Sequence, residues 1–196
     1  MYGKTSAGVA QAPLIDSDRR FIAAVTGGKY AEAAIAGRLF YSANINMVPT
    51  STTLNTAFAG LGLCNPTGSG KNIIVHEFAW AVVIDLVAAA VIALATTTDS
   101  GITVQDANCP IKCCRNGYAT SVCYTTEAAT IVAPVIVKIV SQASTSATTT
   151  YQPRPQVLDL GGSIILAPGR SLVTDTTTVM KAASAQFSFM WEEVDV

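Results

Sequence analysis

The hydrophobic pattern is plainest in residues 185–194, which read AQFSFMWEEV. Phe187, Phe189 and Trp191 fall on one side of a period-two repeat, and Gln186, Ser188, Met190 and Glu192 on the other. Successive side chains of a strand point to opposite faces, so the alternation predicts a half-buried β-strand. Residues 57–64, 72–84, 89–98 and 131–140 are further runs rich in apolar residues that also read as strands. Residues 30–38 (YAEAAIAGR) hold helix-forming Ala and Glu, but Gly37 and the LFYSANI that follows draw the segment toward strand. Strand is the expectation there. Residues 1–28 are weakly patterned and read as an extended arm, leaving 29–196 as a single domain.

Turn chemistry separates the runs. Asn65, Pro66, Gly68 and Gly70 punctuate two apolar segments, a strand–turn–strand connection. In Ala167-Pro168-Gly169-Arg170, Pro at the second position and Gly at the third form the type II signature, and a Pro-Gly hairpin is expected. Residues 96–101 (TTTDSG) form another turn cluster, and 105–125 a long loop. Pro153 and Pro155 argue against a central strand around them. Many short strands with turns between them predict an all-β fold: a jelly-roll-like β-sandwich with an extended N-terminal arm.

One run invites a different reading. Residues 78–95 are nearly all apolar, but a membrane span needs about 20 such residues. Asp85 would lie near its centre at a cost of about 2.5–3.5 kcal/mol. Two buried strands with a turn near 85–89 explain the run without that cost, and no membrane partner is expected. No signal peptide is visible in MYGKTSAGVAQAP.

Composition sharpens this picture. The 196 residues are 50% hydrophobic and only 13% charged, against a usual charged share of about 25%. A surface so poor in charge suits a protein covered by neighbours. A net charge of −1 offers no footprint for nucleic acid. The charge is uneven. Residues 1–40 carry Lys4, Arg19, Arg20, Lys29 and Arg38 against Asp16, Asp18 and Glu32, leaving +2. From residue 171 on, Lys181 faces Asp175, Glu192, Glu193 and Asp195, leaving −3.

Candidate chemistry is sparse. NPTGSGKN (65–72) resembles the end of a phosphate-binding loop, yet Asn65 stands at the first Gly position and Asn72 at the magnesium-binding hydroxyl. The IIVHEFAW that follows reads as strand where that loop needs a helix, so Lys71 is expected to be a turn residue. His76 is the only histidine and lies in a predicted strand; Trp80 breaks the H-E-x-x-H pattern. Glu192 and Glu193 are adjacent and point to opposite faces, so they cannot share a substrate. No catalytic residue and no cofactor are implied. Cys109, Cys113, Cys114 and Cys123 crowd one loop, with Cys64 apart from them. Disulfides, free thiols and a metal site all remain open, although adjacent Cys113 and Cys114 suit tetrahedral zinc poorly.

Four segments together resemble a family of tailed-bacteriophage virion proteins: GKYAEAAIAGRLFY (28–41), NPTGSGKNIIV (65–75), LDLGGSIILAPGRSL (158–172) and SFMWEEV (188–194). The resemblance implies a jelly-roll structural protein without enzymatic activity, carried on the virion as a homo-oligomer and assembled in the host cytoplasm. The resemblance leaves head or tail open; the low charge, the N-terminal arm and the Thr-rich surface favour a capsid cement or decoration protein, expected as a trimer with the major capsid protein or another virion protein as partner. Lys4, Arg19 and Arg20 are then candidate capsid contacts on the arm. A tail fibre or tail-associated component that binds host glycans is the alternative. The cysteine loop departs from the family's pattern, so no role for it carries over.

Overall fold

The computed structural model of the chain describes residues 3–4, 10–11, 28–48, 60–82, 90–98, 102–127, 131, 133–143, 156–177 and 185–196. The chain divides into two units, Met1–Glu32 and Ala33–Val196. In the first, β1 (Gly3–Lys4) and β2 (Ala10–Gln11) pair antiparallel, Gly3 against Gln11. Lys4 therefore lies in β1, while Arg19 and Arg20 lie outside the described residues, as does most of the expected arm.

The segment expected to be strand around Ala31 is instead the helix α1 (Ala31–Ile35). Its Ala and Glu residues have high helix propensity. Gly37, which seemed to argue against a helix, is what ends it. With φ at 72° it caps the last turn, its N–H bonding the Ala34 carbonyl at 3.0 Å and the Arg38 N–H bonding the Ala33 carbonyl at 2.9 Å. A Cβ at that position would collide with the Tyr118 ring.

The remaining strands are β3 (Leu39–Ala43), β4 (Gly62–Asn65), β5 (Lys71–Val82), β6 (Ala90–Thr97), β7 (Ile111–Cys113), β8 (Tyr124–Thr126), β9 (Val135–Ala143), β10 (Gln156–Leu166), β11 (Arg170–Thr176) and β12 (Ala185–Asp195). They form two five-stranded sheets, in the orders β10-β5-β12-β3-β7 and β8-β4-β11-β6-β9. The pairings are nested: β3 with β12, β4 with β11, β5 with β10 and β6 with β9, all antiparallel. That is one long antiparallel ribbon rolled so that its successive strands alternate between sheets, which defines a jelly roll. The expected β-sandwich is therefore the observed one. Ala167–Arg170, expected to be a hairpin, is instead a corner, since β10 and β11 belong to different sheets.

The first sheet supplies the aromatic half of the core. Phe78 packs on Phe189, Trp80 and Phe187 with ring centroids 5.3, 5.5 and 5.9 Å apart, and Phe40 stacks on Trp191 at 6.2 Å. The second sheet meets them with Leu63, Ile92, Leu94 and Leu172. Trp191, Phe187 and Phe189 are buried, as their period-two pattern requires. On the outside of the second sheet, Ile102 and Ile131 from the β6–β9 connection cover Cys64, Ala95 and Val173 in a smaller core. A strand covered on both faces reads as a continuous apolar run. This explains why β6 looked like part of a membrane span. No described helix is long and apolar enough to cross a membrane, and the turn expected near 85–89 lies outside the described residues.

The β6–β9 connection contributes β7 and β8, which add one strand to each sheet beside β3 and β4. The long cysteine loop is thus partly strand. Where the two sheets meet there, Ser42 and Thr125 bring their hydroxyls to 3.2 Å. At the opposite side, β9 and β10 are the last described strands of their sheets.

Candidate functional site

The Asn65–Gly70 turn and the Ala167–Arg170 turn are neighbouring corners of the roll. The Asn65 side-chain amide, buried, donates to the Lys71 and Leu166 carbonyls, each at 2.8 Å. Gly169, at φ 81°, returns its N–H to the Asn65 carbonyl at 2.8 Å, and the Arg170 N–H closes the turn on Ala167 at 3.2 Å. The positive φ is what a type II turn demands at its third position. Pro66, Gly68 and Pro168 complete these turns. Lys71 opens a strand rather than a helix, and its Nζ lies 2.6 Å from Asp195 Oδ1. The Lys71 hydrogen bond and charge hold the Asp195 carboxyl below its usual range. The loop therefore lacks the helix N-terminus that phosphate binding uses.

His76 sits at a bulge. Glu77 pairs with Met190 and Val75 with Trp191, so His76 has no cross-strand place opposite β12. Its Nε2 lies 3.5 Å from Glu192 Oε2, and Glu192 also receives Arg38 at 3.0 Å. Glu193 turns the other way, as alternation requires. Its buried carboxylate accepts from Trp191 Nε1 at 3.3 Å, from Ser121 Oγ at 2.5 Å and from the Val122 N–H at 3.2 Å. Sequence reasoning passed over Glu193 as a structural hub. Continuing the Phe187, Phe189, Trp191 series by two residues would have placed it on the buried face.

The insertion that carries the cysteines is tied down by polar bonds. The Cys109 carbonyl accepts from Gln105 Nε2 and Thr125 Oγ1, both at 2.6 Å, and from Ser42 Oγ at 3.0 Å. Cys64, Cys109, Cys113 and Cys123 are buried and Cys114 is exposed; none of the five is in a disulfide. Burial, then the Glu127 and Asp106 carboxylates, pushes the Cys109 thiol up to about 12. Burial, then Glu193, raises Cys123 further, and burial also raises Cys114. Such thiols are poor nucleophiles at neutral pH. Among the described residues no three His, Cys, Asp or Glu side chains gather as metal ligands. Cys113 and Cys123 both line a cavity of about 410 Å³ with Phe40, Gln105 and Ser121.

Among the described residues, β9 and β10 are the last strands of their sheets, and both carry exposed apolar side chains. On β9, Val135 is 62% exposed, Val137 48% and Ile139 57%; on β10, Val157 is 64% and Ile165 59%. Val135 and Ile165 line one groove of about 400 Å³ together with Arg170 and Thr96–Thr98. Lys138 is the charged residue of β9 and Asp159 that of β10. No family model, curated protein or solved structure matches the chain.

Proposed function

We propose that the chain is a structural protein of a tailed-bacteriophage virion, a cement or decoration protein that stabilises the head shell as an oligomer. The observation that carries this reading is the exposed Val and Ile side chains of β9 and β10, the last described strands of their sheets. An edge strand of this kind is a template for pairing with another chain, and soluble monomers blunt such edges with charge or cover. The edge strands on the far side, β7 and β8, are only three residues each, whereas β9 and β10 run nine and eleven residues and expose Val and Ile. Lys138 on β9 and Asp159 on β10 have opposite signs, which suits β9-to-β10 contact between copies; the trimer is proposed from the resemblance to virion proteins. The resemblance of the two corner segments and of β12 to virion proteins supports the same reading. The basic arm residues Lys4, Arg19 and Arg20 are assigned to contact with the major capsid protein.

The test is the protein's copy number on purified particles. Hundreds of copies place it on the head, and particles lacking it should lose their contents at lower temperature. Deleting residues 1–28 should leave the oligomer intact and abolish attachment. A few copies per particle favour the tail reading. That alternative has one observation of its own: a shallow trough of about 210 Å³ on the first sheet, lined by Tyr41, Ala43, Glu77, Ala79 and Ser188. Tyr41 is 47% exposed there, a ring on which a sugar can stack.

A further inference from the structure

We infer that Cys113 and Cys123 are a cross-linking pair, which joins the two sheets of the sandwich by a disulfide when the protein meets an oxidising medium. Cys113 ends β7 in the first sheet, and Cys123 immediately precedes β8 in the second. Both side chains belong to the main core and reach the same cavity.

Their levels along the strands match. Cys113 is registered against Phe40, two residues before Ser42 on β3. Cys123 lies two residues before Thr125, whose hydroxyl meets that of Ser42 at 3.2 Å. One step further, Ser121 meets Glu193. Cys123 therefore stands between two fixed inter-sheet contacts, on the level of Phe40 and Cys113. Stacked sheets lie about 10 Å apart, too far for a disulfide, whose Cα atoms are usually about 4.4–6.8 Å apart. At this end the spacing is smaller. Serine and threonine Oγ sit one bond beyond Cβ, as cysteine Sγ does, and they already touch.

The other thiols are placed less well. Cys114 follows Cys113 on the opposite, exposed side of the chain. Cys64 belongs to the smaller core outside the second sheet. Cys109 is in the main core but does not line the cavity.

The reaction needs a disulfide oxidant such as oxidised glutathione. A Cys113 or Cys123 thiolate attacks it and expels one glutathione thiolate. The other cysteine sulfur then displaces the second glutathione from the mixed disulfide. Two protein thiols give up two electrons and two protons, and one glutathione disulfide becomes two glutathione thiols. Because burial suppresses the Cys123 thiolate, the step should be slow at neutral pH and faster at pH 9.

The full chain with Cys114→Ser, which removes the exposed thiol, is incubated with oxidised glutathione, alkylated and digested without reduction. Trypsin then leaves Cys113 and Cys123 on separate peptides, 113–115 and 116–138. The expected result is a linked pair of these peptides and a rise in melting temperature over the reduced protein. Cys113→Ser, in the same background, should show neither. Recovery of both cysteines alkylated after prolonged oxidation at pH 9 would overturn the inference, as would Cys123 linked to Cys64 or Cys109.

Discussion

The Asn65 side-chain amide donates to the Leu166 carbonyl at 2.8 Å across 101 positions of sequence, and so ties one corner of the jelly roll to the next. The same amide holds the Lys71 carbonyl at 2.8 Å, which fixes where β5 leaves the turn. Replacing Asn65 by Ala removes the amide donor from the buried Leu166 carbonyl and leaves the Lys71 carbonyl only the Ser69 hydroxyl at 3.3 Å. A buried orphan of this kind costs about 1–3 kcal/mol. Asn65→Ala should therefore lower stability by about 2 kcal/mol or more, seen as a lower urea midpoint with an unchanged slope. An unchanged midpoint would mean the corners hold without the amide.

Lys71 offers a contrast, because its partner Asp195 is exposed. Lys71→Ala should leave nucleotide binding undetectable, as in the parent protein, and change stability little. The small change has a pH signature. The folded-state pKa of Asp195 is depressed, so its contribution is present above the unfolded carboxylate value, about 3.9, and is lost as pH falls through the folded one. Melting curves of parent and variant should separate slightly at pH 6 and draw together as pH falls below the ordinary carboxylate range. ATP or GTP binding by the parent that the variant loses would overturn the turn reading.

Thiol labelling should follow burial. Iodoacetamide at pH 8 should modify Cys114 first, and Cys64, Cys109, Cys113 and Cys123 only when denaturant opens the core. In the folded protein the raised pKa of Cys109, about 12, leaves it almost no thiolate at that pH and so adds to the protection that burial gives. Peptide mapping by mass spectrometry gives the order directly. Equal labelling of all five in the native protein would contradict the packing of the insertion.

How much of this was legible in the sequence depends on the range of the signal. β12 shows its period over eleven residues, so its buried face could be read from Phe187, Phe189 and Trp191 alone. β7 and β8 are three residues each, too short to display any period. Pro168 and Gly169 mark a bend, but a bend is compatible with a return into the same sheet or a crossing to the other. Only the pairing of β10 with β5 and β11 with β4 decides for the corner. Gly37 was misread because one glycine can interrupt a strand or finish a helix. Glu193 was missed because a carboxylate on an apolar face runs against expectation. What makes it tolerable, Ser121 and the Val122 N–H, lies about seventy residues away in the chain.

Charge on β9 and β10 gives the contact between copies its most specific signature. If β9 of one copy meets β10 of the next, Lys138 and Asp159 approach across the contact, and the apolar Val137, Ile139 and Val157 become buried beside them. Lys138→Glu alone and Asp159→Lys alone should each weaken the oligomer, because each variant sets like charges on the facing edges. Combined, they should restore it, since the signs are then merely exchanged. A contact made only through the apolar residues would tolerate both single variants, and a contact of β9 with itself would not be rescued by the double one. Val137→Lys should dissociate the oligomer while leaving the melting of the isolated sandwich unchanged, as Val137 is 48% exposed in the single chain. Sedimentation of parent and variants at micromolar concentration is the measurement. A parent protein that sediments as a monomer at that concentration would leave β9 and β10 without the partner assigned to them.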